Sequence, residues 1–123
     1  MPGRPSRVAP PRLVPRLRVI HRGEIALGPG KLDLLAAIAA GGTLAQAART
    51  LGMSYMRAWN LLGTMNEAFR SPLVVLRRGG PRGGGGACLT PLGEEVLALY
   101  REMERAGLRA AAPAWRKLRR LLR

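Results

Sequence analysis

Twelve residues, Thr43 to Ser54, constrain this chain more than any other stretch, because they must start a helix, stop it and start another. Thr43 with Gln46 three residues later is a capping box, which pairs the hydroxyl and the amide side chain with backbone donors at a helix start. The helix so opened runs Leu44 to Leu51. Gly52 follows, the residue type that accepts the left-handed backbone at a helix end. Ser54 is then an N-cap for a further helix reaching about Phe69. Ala47 and Ala48 are small where two such helices must meet, so the pattern predicts a helix-turn-helix.

At about 100° per residue the helix after Ser54 divides cleanly. Ala58, Leu61, Leu62, Met65 and Phe69 share one side and are expected in the core. Met56, Arg57, Asn60 and Thr64 fall on the other half, and Tyr55 and Trp59 on the flank between, where rim packing and ligand contact are equally open readings. The second helix of such a unit lies in the DNA major groove and reads bases from its N-terminal turns. Arg suits guanine there and Asn suits adenine or phosphate. Thr43 and Ser54 begin helices, whose leading amides suit phosphate.

The rest of the chain fits around this unit. Leu17 and Val19, then Ile25 and Leu27, flank Arg22-Gly23 and read as a short strand or a hairpin. Lys31 to Ala40 reads as a first helix with Leu34, Leu35 and Ile38 inward, ended by Gly41-Gly42. After Ser71-Pro72, Leu73 to Leu76 and Ala87 to Leu89 read as two strands joined by a Gly/Arg loop holding Arg77, Arg78 and Arg82. A basic hairpin there reads as a wing, its arginines meeting phosphate or the minor groove. The loop is no nucleotide-binding P-loop, since no Lys-Ser/Thr follows its last glycine. Thr90-Pro91 caps a fourth helix, with Val96, Leu99, Tyr100 and Met103 at one-face spacing and Pro113 expected to kink or restart it. The fold expected is mainly α with a small β component: a winged helix-turn-helix with a long C-terminal helix after the wing. It spans residues 16–111, between an Arg/Pro-rich arm (1–15) and a basic helical tail (112–123).

Charge supports a polyanionic partner. The 123 residues carry a net charge of +14. Residues 1–22 hold six arginines and no acid, and residues 111–123 hold five basic residues and no acid. Genome bias accounts for 19 of the 21 basic residues being Arg, but less well for this clustering. Clustered cations are the footprint of nucleic-acid binding. His21 and Cys88 are the only residues of their kinds, which excludes a His/Cys metal cluster and any disulfide within the chain. Glu94, Glu95, Glu102 and Glu104 share the fourth helix with Arg101, Arg105 and Arg109, an ordinary charged helix surface. No enzyme activity, cofactor or metal is expected. The longest apolar run, Leu34 to Ala40, is too short to span a membrane, and no secretory leader is visible, so a cytoplasmic protein is expected.

Three stretches carry a resemblance: G-G-T-L-A-Q-A-A at 41–48, S-Y-M-R-A-W-N at 54–60 followed by M-N at 65–66, and G-G-G-G-A-C-L-T-P-L-G at 83–93. With them the chain resembles the DNA-binding domain of the molybdate-responsive regulator family, ModE, and more distantly the N-terminal domains of LysR-type regulators. The resemblance covers about residues 17–110. It implies a winged helix with Ser54, Tyr55, Arg57 and Asn60 on the DNA side, and a homodimer joined partly through the helix after the wing. Met56 stands where the resemblance implies a basic residue, so the family's operator is not carried over. The C-terminal oxyanion-binding domain of full-length members has no counterpart expected in this chain, so molybdate sensing is not carried over either. The expected function is sequence-specific binding of double-stranded DNA as a transcriptional regulator, with recognition helix 54–69 and wing 77–89. The alternatives are a protein-interaction module on the same scaffold, or a nonspecific binder of the nucleoid or of anionic membrane through Trp115, Leu118 and Leu122 beside Arg116, Lys117, Arg119 and Arg120.

Overall fold

The computed structural model describes residues 8–77 and 86–123, and the structure they form is mainly helical with two small antiparallel sheets. The chain opens with β1 (Val19–His21) and β2 (Glu24–Leu27). Their two-residue loop, Arg22-Gly23, takes positive φ at both positions, 53° and 77°. That is the conformation that lets a tight hairpin follow the twist of its strands.

The first helix, α1 (Pro29–Ala39), starts two residues before the expected Lys31. Pro29 fits the first helical position, where its missing N–H costs nothing. Leu32, Leu34, Leu35 and Ile38 are buried, and α1 packs against the three other described helices and one strand, so the core forms around it. The next helix, α2 (Leu44–Thr50), has the full capping box: Thr43 N–H donates to Gln46 Oε1 and Gln46 N–H donates to Thr43 Oγ1. It ends in a Schellman motif. Met53 N–H donates to the Ala48 carbonyl and Gly52 N–H to that of Arg49, with Gly52 at φ +67°. After four intervening residues α3 (Tyr55–Ala68) begins, capped by Ser54 Oγ, which accepts from Arg57 N–H at 3.1 Å. Ala58, Leu62 and Met65 are buried, while Leu61 and Phe69 lie partly buried at the edge of the core.

The second hairpin pairs β3 (Val74–Arg77) with β4 (Gly86–Leu89), and its outermost described pair is Arg77 with Gly86. Four hydrogen bonds tie it to its surroundings. Ala87 N–H donates to the Gly42 carbonyl, beside the start of α2. Asn66, near the end of α3, accepts from Leu73 and Val74 N–H and donates to the Val74 carbonyl. The hairpin is thereby tied to both helices.

The last helix, α4 (Pro91–Arg119), departs from expectation twice. It runs unbroken for 29 residues through Pro113, about 44 Å at the usual rise, so residues 112–119 continue it. Pro113 costs the carbonyl of Arg109 its bond, but both residues are exposed and that carbonyl can turn to solvent. Secondly, the expected apolar face is only half buried. Val96 and Tyr100 are buried with Gly93 and Leu97, whereas Leu99 and Met103 are about half exposed. The buried face centres between Leu97, Tyr100 and Gly93, which leaves Leu99 about 120° to one side.

Candidate nucleic-acid interface

The N-terminal turns of α3 present most of the residues singled out in the sequence. Ser54, Tyr55, Met56, Arg57 and Asn60 are all exposed, and the buried Ala58 between them faces inward. They stand together because α3 packs by one narrow face, so three consecutive side chains after the cap project away from the core. The amides of Tyr55 and Met56, first in the helix, have no carbonyl within it to bond. From Tyr55 to Asn66 the sequence has one charged residue, Arg57. The first acid is Glu67, at the other end of the helix.

Tyr55 and Trp59 stack on each other, ring centroids 6.3 Å apart and planes inclined by 23°. Both rings stay about half exposed. The pair is therefore surface, and Trp59 joins the exposed group that includes Tyr55. Thr64, expected on the same half, turns its hydroxyl to the Leu61 carbonyl and closes a bond within its own helix.

Thr43 is half-buried and its polar atoms serve the capping box. Its backbone N–H is taken by Gln46, so the leading amides of α2 that can meet a ligand are those of Leu44 and Ala45. Arg77 is exposed at the end of β3, with the hairpin held to Gly42 and Asn66 as above. Arg78 and Arg82 lie outside the described residues.

Sequence reasoning did not find Asn66 as the link between α3 and β3. Its partners are backbone groups seven and eight residues away, beyond the reach of helical periodicity. Elsewhere, His21 is exposed and Cys88 half-buried. Among the described residues no group of three or more His, Cys, Asp or Glu could hold a metal ion, and no helix is long and apolar enough to cross a membrane.

No protein-family profile matches the chain. Individual proteins do. It is 41% identical over 86 residues to the molybdenum-pterin-binding protein MopB of Rhodobacter capsulatus, covering 70% of this chain and 32% of that protein. It is 40% identical over 94 residues to MopA of the same organism, covering 76% of this chain and 35% of the relative. It is 40% identical over 72 residues to the DNA-binding transcriptional dual regulator ModE of Escherichia coli K12, covering 58% and 27%. The chain thus spans about a third of the length of the curated relatives it matches. Over that shared part the chain is similar to both ModE and Mop proteins.

Proposed function

We propose that this chain binds double-stranded DNA as a cytoplasmic transcriptional regulator, through a winged helix-turn-helix formed by α2, α3 and the β3–β4 hairpin. One observation carries the reading: Tyr55, Met56, Arg57 and Asn60 stand exposed together on the first turns of a helix with no acid before Glu67. In this reading α3 enters the major groove. Arg57 and Asn60 hydrogen-bond base edges, and Arg77, Arg78 and Arg82 of the wing meet phosphate or the minor groove. The similarity to the Escherichia coli ModE, a DNA-binding transcriptional dual regulator, agrees with it.

The protein acts as a homodimer. Besides the resemblance, α4 supports this: Leu99, Met103, Ala106 and Ala110 lie exposed along one side of it, a stripe apolar and small enough for a second helix to approach. Two copies would present two recognition helices to two half-sites.

Affinity for a duplex should fall steeply as salt rises, since each neutralised phosphate releases counterions. Titration by fluorescence anisotropy across 50 to 200 mM salt, roughly the range over which phosphate binders lose most affinity, measures it. A flat profile contradicts the reading and favours a protein-interaction module.

A further inference from the structure

The side of α3 farthest from the core is not its most polar side. At about 100° per residue, Met56, Asn60 and Gly63 fall within roughly 60° of each other, directly opposite the buried Ala58, Leu62 and Met65. Arg57 stands to one side of this ridge, and Tyr55 with Trp59 to the other. Met56 is 62% exposed, more than either aromatic neighbour. Its side chain therefore leads the helix outward, with one hydrogen-bonding residue, Asn60, next to it.

Gly63 is the second observation. Glycine is the poorest helix former after proline, yet it occupies the middle of a 14-residue helix. The fold does not require it. A Cβ built there meets nothing within 4 Å, and its φ lies outside the left-handed region. A residue that weakens the helix, crowds nothing and faces outward beside Met56 leaves room for a close partner.

We infer that Met56 and Gly63 form a close-contact surface for the methyl group of a thymine, beside an adenine bonded by Asn60, so that the chain selects an A·T-containing step. The inference rests on the DNA-binding reading and specifies what that site takes. The major-groove edge of an A·T pair offers, side by side, the two chemistries this ridge offers in return. Adenine N6 and N7 pair bidentately with an Asn amide, and the thymine C5-methyl accepts an apolar contact. A G·C pair has no methyl there, which leaves Met56 against polar atoms. The absence of acids on α3 before Glu67, with Arg57 alongside, suits a polyanion here better than an apolar protein surface.

The test uses the full chain and the duplex it enriches from a random pool. Each thymine is replaced in turn by deoxyuridine, which removes only the methyl group. At one or more positions the native chain should lose about fourfold in affinity, the worth of one buried methyl. Met56→Gln should abolish that sensitivity. Gly63→Ala should raise the melting temperature by about 4–8 °C while weakening duplex binding at least tenfold. Insensitivity at every thymine, or equal sensitivity in Met56→Gln, overturns the methyl contact. A stabilised Gly63→Ala that binds as well as the native chain overturns the close approach. A selection that enriches nothing overturns the DNA-binding reading itself, and this inference with it.

Discussion

Gly93 shows how much a single residue can owe to a distant neighbour. A Cβ at this position would collide with the backbone carbonyl of Leu73. That carbonyl already accepts from Thr90 N–H at 2.9 Å, while the Thr90 hydroxyl donates to the Pro72 carbonyl and accepts from Gly93 N–H. The start of α4 is thus seated directly on the start of β3, and neither side can yield. Gly93→Ala should destabilise the protein by about 1–3 kcal/mol, the usual cost of overpacking, seen as a lower urea midpoint; an unchanged midpoint would show that the junction can open. The cap at Thr90 and the proline after it were readable in the sequence, because capping is local. The need for glycine at 93 was not, because it depends on a carbonyl twenty residues earlier. The same division holds at the site. Angular position alone brings out Met56, Arg57 and Asn60, whereas the stacking of Tyr55 on Trp59 depends on side-chain rotamers that periodicity does not specify.

At the scale of elements, α4 does two jobs. Its first turns close the core and its later turns project from it. Tyr100 joins it to the N-terminal segment: the ring is fully buried and its hydroxyl donates to the Leu17 carbonyl at 2.7 Å. Burial raises its pKa above the ordinary 10.0, with Glu104 and then Asp33 adding to the rise against Arg18 and the bond to Leu17. A neutral hydroxyl is therefore favoured in the folded state. Below pH 10.0 both states hold the proton and stability is unaffected. Above it the unfolded chain ionises first, so stability falls with rising pH until the folded-state pKa is passed. Urea unfolding at a series of alkaline pH values should show this fall in the native chain and a shallower one in Tyr100→Phe. Tyr100→Phe should also be less stable at neutral pH by about 1–3 kcal/mol, because the Leu17 carbonyl loses its donor. The sequence placed Tyr100 on the inner face of α4 but overextended that face to Leu99 and Met103. A spacing pattern reports that residues share a side, not how much of that side one copy of the chain can cover. It also allowed Pro113 too much influence, since proline interrupts a helix least where the freed carbonyl reaches solvent.

For the whole molecule, charge and symmetry matter most. The net charge of +14 is concentrated in the two ends and the β3–β4 loop, leaving the core-forming middle of the chain nearly neutral. In the proposed reading this separates affinity from selectivity: the ends and wing would hold a polyanion of any sequence, and α3 would choose among sequences. If α4 joins two copies through Leu99 and Met103, the double substitution Leu99→Gln with Met103→Gln should shift sedimentation from dimer to monomer without loss of helicity. A native chain that sediments as a monomer at micromolar concentration would contradict that interface. The helix-rich class and the short hairpins were legible because caps, glycines and prolines punctuate this sequence clearly. The way the hairpin is tied to Gly42 and Asn66 was not, being a matter of tertiary bonds.

The exposed first turns of α3 are proposed to distinguish DNA sequences. The most direct measurement is enrichment from a pool of random duplexes by the native chain, by Arg57→Ala and by Arg82→Ala. The native chain should enrich a motif of two half-sites one helical turn apart or a multiple of it. Arg57→Ala should lose preference at one position of each half, and Arg82→Ala should keep the motif while binding all duplexes more weakly. A motif unchanged by Arg57→Ala, or no motif from the native chain, would contradict recognition by α3.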